Sequence, residues 1–530
     1  MFGRKLFRWV LLVMLVPGAP ALADELGSIQ FPNSGSETAQ EAFLTGVKAL
    51  HSFQFDEARF AFEEAQEIDP SFALAYWGQA MSDNHPLWAQ QDGEAALAAL
   101  TRLAPTFEGR LAKAPTEKEK AYMTAIETLY FAPGDKLTRD QAYSDYMASM
   151  QERWPDDHEI AIFHSLSLLG LMRPGDRGYR RQAKAAAIAT EVFKENPNHP
   201  GAAHFIIHAF DDPDHAILAL PAARQYAGIA PASAHALHMP SHIFLQLGMW
   251  EGVAKSNIEA YAAAVETNEK FGLPEGREDF HTLSWLAYAN LMLGHYDRAE
   301  ANLANALEAA ERNPDNERVQ SGYLDMKARH MLETADWQDL ELSARGTAEG
   351  DHPHWVSIIG MSAANRGDAD RAIAVEARLQ ALADDATAAG KDYDAKVMSV
   401  LKRQVAAVRH LAEGNIDSAA TLAKEAADME VQYLRVPSGP PKPMKPTAEL
   451  HADILLASGK TDEAMAAFQQ ALHWVPQRTP SLYGLARSAS AVGNAELAQS
   501  TFQKLAEMPG ANLDMPMFSG DAEIVRGADR

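Results

Sequence analysis

The chain has 530 residues, of which 47% are hydrophobic and 22% charged, and its formal net charge at pH 7 is -25. That length exceeds what one ordinary core requires, so the chain is either several domains or a repeat array, and so negative a charge disfavours nucleic acid and anionic membrane surfaces as partners. Cysteine is absent, which removes disulfides, thiolate ligands and thiol redox motifs and leaves histidine, carboxylate and methionine as metal ligands.

Residues 1–23 carry Arg4, Lys5 and Arg8, then an apolar run, then Ala21, Leu22 and Ala23 before Asp24. This pattern predicts a secretory signal peptide, because the apolar run is too short and too interrupted by proline to span a membrane. The expected location is periplasmic or secreted, with no membrane span after processing. Residues 24–37 read as a short N-terminal segment.

From residue 38 onward the chain repeats. Alanine and leucine are abundant and strand-like alternation is scarce, so helix is the default reading. Residues 42–70 place Gly46, Ala58, Ala65 and Pro70 at spacings of 12, 7 and 5. These spacings resemble the tetratricopeptide repeat, in which small residues let paired helices pack closely. The pattern recurs at Gly294, Tyr296, Ala299 and Ala306, at Gly414, Ala419 and Ala426, and at Gly459, Ala464, Ala471 and Pro476, with weaker copies after Gly248, Gly367 and Gly493. The predicted fold is an all-α tetratricopeptide-type helical-repeat superhelix, an α-solenoid of about eleven or twelve helix pairs at the 34-residue period. The main array covers 38–436. Residues 437–447 form a Pro-rich linker, which is extended and serves either as a spacer or as a segment folded back into the groove. A C-terminal repeat pair covers 448–510, and an irregular tail covers 511–530.

The landmarks LHSFQFDEA, AYWGQAMSDNHPLW, HPGAAHFIIHAFDDP, HALHMPSHIFLQLGMW and ELHADILLASG resemble a group of exported bacterial tetratricopeptide proteins. The resemblance implies the fold and a histidine-rich groove at 199–288. It implies no particular reaction.

Seven of the nineteen histidines fall between residues 199 and 242. In the repeat register, His204 and His208 take positions 5 and 9 of one first helix, His235, His238 and His242 take positions 2, 5 and 9 of the next, and His281 takes position 2 of the one after. By the tetratricopeptide pattern these positions line the concave groove. Helices pack roughly 8–10 Å apart, so the six imidazoles can converge on one ion or on two ions a few ångströms apart. Two histidines four residues apart on one helix face are a known metal-ligand spacing. Pro240 should kink its helix and tilt His242 toward His204 and His208. An acidic, cysteine-free groove of neutral imidazoles suits copper or zinc, and ligation should weaken as pH falls through about 6.

Nearby groups receive supporting readings. His199 and His215 are expected to cap helices or to support ligands. Asp211, Asp212 and Asp214 read as loop and capping acids, Glu278 and Asp279 as orienters of the His281 ring, and Met239 as packing. Glu159 falls at a groove position if an insertion is allowed, and Tyr288 reads either as a groove hydrogen-bond donor or as a packed aromatic. His51 and His85 read as cations at helix ends, so losing His51 should not affect metal binding. His354 falls at a groove position several helices from the cluster.

No zinc-protease, hydrolase, phosphate-loop or dinucleotide motif is found. Two functions remain. One is an exported metalloprotein binding one or two ions, an enzyme if a coordination position stays open and a carrier if the shell closes. The other is a scaffold binding a peptide or protein in the groove without metal, since fold does not specify chemistry; a small-molecule ligand in the groove is also expected as a partner.

Overall fold

Glycine sets the turn between paired helices in most repeats. Gly248, Gly294, Gly367, Gly414, Gly459 and Gly493 have φ between +68° and +81°, where a side chain costs about 1–2 kcal/mol. After each of them the second helix of the pair begins, as in Tyr296–Arg312 after Glu278–Met292 and Thr461–Trp474 after Thr447–Ala457. The second helices bury an alanine stripe, such as Ala419, Ala420, Ala423 and Ala426, because they touch neighbours along one side only. First helices are enclosed on both sides, so Pro200–Ala209 and Pro353–Asn365 are buried almost throughout.

The computed structural model describes residues 24–173, 178–434 and 438–508. It is an all-α helical-repeat solenoid, with one two-residue ladder pairing Asn84–His85 with Gln90–Gln91. The signal peptide and the irregular tail read from the sequence lie outside the described residues. Among those described, no helix is long and apolar enough to cross a membrane. The period breaks after Glu317–Thr334, where residues 335–347 form no second helix before the short Ala348–Asp351.

The array curls until distant repeats touch. Ser28 N–H donates to the Asn198 carbonyl (2.9 Å), and Phe60 stacks on Phe271 with centroids 5.4 Å apart. From the other end, the Trp250 indole donates to the Gln477 carbonyl (2.9 Å), and Thr479 Oγ1 to that of Met292 (2.5 Å). Residues 438–446 lie in the enclosed groove. Arg329 donates to the Pro441 carbonyl (2.8 Å) and Gln404 to that of Lys445 (2.7 Å), while Met444 is buried in the core.

Candidate metal centre

Proline places the histidines. Pro200 opens Pro200–Ala209 at the first helical position, where its missing N–H costs nothing, and His199 Nδ1 accepts from Ala202 N–H (3.3 Å) as the cap. His204 and His208 follow on one face, four residues apart. Pro240 ends Ala234–His238 and starts Pro240–Gln246, with Met239 between the two. His235 and His238 stand on the first piece and His242 on the second. His281 comes from Glu278–Met292.

All six imidazoles are brought together, and they divide into two triplets. His204, His208 and His235 form one and His238, His242 and His281 the other, each offering ligand nitrogens within 4.8 Å of one another. His204 Nε2 lies 3.2 Å from His235 Nε2; His238 Nε2 lies 3.0 Å from both His242 Nε2 and His281 Nε2. The triplets adjoin, with ring centroids of His235 and His238, and of His208 and His242, 6.2 Å apart. The expected tilt is met in part: past the break at Pro240, the His242 ring lies beside His238 (centroids 4.9 Å apart) and stands as near His208 (6.2 Å) as His281 (6.4 Å).

The outer nitrogens explain why the inner ones are free to bind. His204 Nδ1–H donates to the His51 carbonyl (2.6 Å), His235 Nδ1–H to Glu278 (3.1 Å), His238 Nδ1–H to Asn257 Oδ1 (2.7 Å) and His242 Nδ1–H to Asp211 (2.6 Å). The Asn257 amide is oriented by its own donation to the Val253 carbonyl (2.8 Å). A neutral imidazole has one N–H, so spending it on Nδ1 leaves Nε2 a bare lone pair. Lone pairs thus face each other at 3.0–3.2 Å. Burial pushes the His204, His208 and His238 imidazoles well below their ordinary range, reinforced by neighbouring histidines, and brings His281 to about 4. Protonation of His204, His208, His238 or His281 therefore does not relieve the repulsion at neutral pH. A cation does, and two nitrogens on a tetrahedral zinc at 2.0–2.1 Å stand about 3.3 Å apart. The buried His208 Nε2 also has no hydrogen-bond partner.

Supporting residues differ from expectation. Glu278 orients His235, not His281, and Asp279 turns back to accept from Arg277 N–H (2.7 Å). Asp211, read as a loop acid, holds His242, while Asp212 pairs with His215 and Asp214 with His473. His51 ends its helix but is fully buried rather than solvated, with Nε2 2.7 Å from Glu159. His85 lies beyond its helix, stacked on Phe55, and burial lowers its pKa, against the expected cation. Glu159 does not reach the six imidazoles. Tyr288 is a packed aromatic, fully buried, whose hydroxyl accepts from Arg478 (3.1 Å). Met239 is core, and His354 pairs with Asp325 away from the centre. Trp285, passed over in the sequence although it lies four residues after His281, packs on His242 and His238 with centroids 4.3 and 4.9 Å apart.

A cavity of about 960 Å³ opens onto His208, His235, His242 and His281. Gly439 of the Pro-rich segment lines it and presses on Trp285, where a Cβ would come within 2.7 Å of the indole. Ligands entering the cavity meet both triplets.

Residues 455–509 match the tetratricopeptide repeat family, and the turn glycines carry the same paired-helix pattern through much of the described array. No curated protein matches it. Similar solved structures include the human IFIT1 dimer with m7Gppp-AAAA, 13% identical over 91% of this chain and 92% of that one, TM-score 0.31. Yeast Tom70 is 11% identical over 86% and 89%, TM-score 0.32. A tetratricopeptide repeat protein from Parabacteroides merdae is 14% identical over 56% and 96%, TM-score 0.28. These likenesses carry no argument about ligand or activity.

Proposed function

We propose that this repeat protein is an exported metalloprotein whose groove binds two transition-metal ions, copper or zinc, with three imidazoles each. The observation that carries the reading is the opposition of Nε2 atoms at 3.0–3.2 Å between His204 and His235 and between His238 and His242, four imidazoles whose Nδ1 atoms are already engaged. Imidazole donors without thiolate suit copper and zinc, and the carboxylates on His235 and His242 are the usual supports that fix a ligand ring. Three ligands leave a position open toward the cavity, so a bound ion supplies a Lewis-acidic or redox-active coordination site to the molecule that enters. The chain's own residues hold the imidazoles aimed, and Trp285 packs against His238 and His242 at the cavity wall. A metal-free peptide-binding scaffold is the competing function, and it leaves the opposed lone pairs without a purpose.

Elemental analysis of untagged protein purified from its native compartment tests the reading. The expected result is metal approaching two equivalents, or uptake to that level on titration. Less than about a tenth of an equivalent, with no uptake of copper or zinc, would contradict it.

A further inference from the structure

A third buried cluster lies beside the first triplet. His51, Glu159 and His199 come from three helices and are 0%, 1% and 0% exposed. Their ligand atoms fall within 4.8 Å of one another, yet the hydrogen bonds argue against a third ion. His199 Nδ1 accepts from Ala202 N–H, so its proton sits on Nε2 and is donated to Glu159 Oε1 (3.1 Å). The other carboxylate oxygen, Oε2, meets His51 Nε2 at 2.7 Å. Burial raises the Glu159 carboxyl, but the two imidazoles outweigh it and bring the group down to about 2. Both carboxylate oxygens are thereby engaged, and the three side chains form a buried hydrogen-bonded lock.

The lock secures an unusual turn. Phe53 stands five residues before Ala58, as Gly459 stands before Ala464, and so occupies the turn position that other repeats give to glycine. It adopts φ +53°, a left-handed conformation that a bulky side chain rarely takes and that persists only when its surroundings enforce it. Its ring lies against the whole first triplet, with centroids 4.4 Å from His204, 5.5 Å from His208 and 5.6 Å from His235. One residue earlier, Ser52 Oγ accepts from the Tyr226 hydroxyl (3.1 Å), and Tyr226 stacks on His204. Two residues before Phe53, the His51 carbonyl takes the His204 proton. Gly201 lets the next helix close on this turn, since a Cβ there would come within 2.8 Å of His51 Nδ1. The second triplet is held separately, by Asn257 and Asp211.

We propose that Glu159 is a positioning residue for the first triplet. By holding His51 it fixes the turn that presents a carbonyl to His204 and the Phe53 ring to His204, His208 and His235. It therefore governs one of the two ions and leaves the other alone. The ion-binding half of this inference rests on the metal reading above; the positioning half does not.

The test compares the unaltered protein with Glu159→Gln, His51→Leu and His51→Gln by zinc titration, and by nitrogen-15 NMR of the histidines in metal-free protein. Glu159→Gln and His51→Leu should each bind one equivalent as the unaltered protein does and the other at least about tenfold more weakly, the scale of losses when a ligand's orienting partner is removed. His51→Gln, whose amide can donate where Nε2 did, should restore both. In metal-free protein, the hydrogen-bonded Nδ1–H signal of His204 should be lost in the first two variants and kept in the third, while those of His238 and His242 persist in all. Equal weakening of both ions, or unchanged affinity and an unchanged His204 signal in every variant, overturns the proposal. If Glu159→Gln fails to fold, the contrast between His51→Leu and His51→Gln still decides it. Should the unaltered protein take up no zinc, the metal reading is what suffers, and the His204 signal alone then judges the positioning role.

Discussion

Two buried polar clusters sit in this groove, and they satisfy themselves differently. Near the C-terminal repeats, the guanidinium of Arg478 is 1% exposed and meets Glu449 (2.7 Å) and Glu333 (2.9 Å), while Lys445 reaches Glu449 (2.7 Å). Each charge has its opposite in the chain, and the cluster is complete as it stands. Around the histidines no such closure exists, because His204, His235, His238 and His242 donate outward from Nδ1 and turn their Nε2 atoms toward one another. The difference separates a cluster that is complete in itself from one that, on the proposed reading, a cation completes, although both are polar and largely buried.

That contrast is sharpest under acid. An unfolded imidazole takes a proton near pH 6.5, whereas His204, His208 and His238 resist protonation in the folded chain and His281 does so until about 4. Between those limits the unfolded state binds more protons, so the metal-free protein should lose stability steadily as pH falls from 6.5 toward 4. Urea titrations across that range should show the midpoint falling. For the same reason zinc uptake should survive at pH 5.5, lower than the sequence alone suggests. The Arg478 cluster should add to this slope only at its acid end, where an unfolded Glu449 begins to take up a proton that the folded carboxylate, held at about 2, does not.

Breaking the closed cluster should be costly with or without metal. Glu449→Leu removes the carboxylate shared by two cations, leaving Arg478 with Glu333 and Lys445 with Asp453, and should be clearly destabilising, read by chemical denaturation of metal-free and metal-loaded protein alike. The histidine centre should behave in the opposite way, since its contribution arrives with the ion. Each ion should add about 2.7 kcal/mol at a free concentration one hundred times its dissociation constant. His235→Ala should remove one of these increments and His281→Ala the other in thermal scans. The pair His204→Ala with His238→Ala strikes one member of each triplet and should abolish both, with helix content intact by circular dichroism.

Smaller effects refine the picture. Asp211→Asn weakens the acceptor behind His242 and should reduce the affinity for one ion by about 10–100-fold, measurable by competition with a chelating dye, while the other ion is unaffected. Gly459→Ala, at φ +76°, should cost about 1–2 kcal/mol and leave ion stoichiometry unchanged.

Much of this was legible in the sequence because it is periodic. Turn glycines, alanine stripes and the register of His204, His208, His235, His238, His242 and His281 follow from counting, and the structure gathers the same six side chains. What counting missed depends on atoms or contacts that no spacing encodes. His204 is held by a main-chain carbonyl, which has no letter in a sequence. Glu278 chose His235 over His281 because the helices cross there, and Asp211 reached His242 from a loop whose acids look like ordinary caps. His51 belongs to a repeat more than a hundred residues away and meets His204 only through the curl of the array. The division into triplets turned on the break at Pro240, whose direction depends on packing.

The most direct measurement is anomalous diffraction at the zinc edge from crystals of the zinc-loaded protein. The account predicts two peaks, each about 2.0–2.1 Å from three histidine Nε2 atoms, one within His204, His208 and His235 and the other within His238, His242 and His281. A single peak shared across the triplets, or peaks only at surface carboxylates, would contradict it.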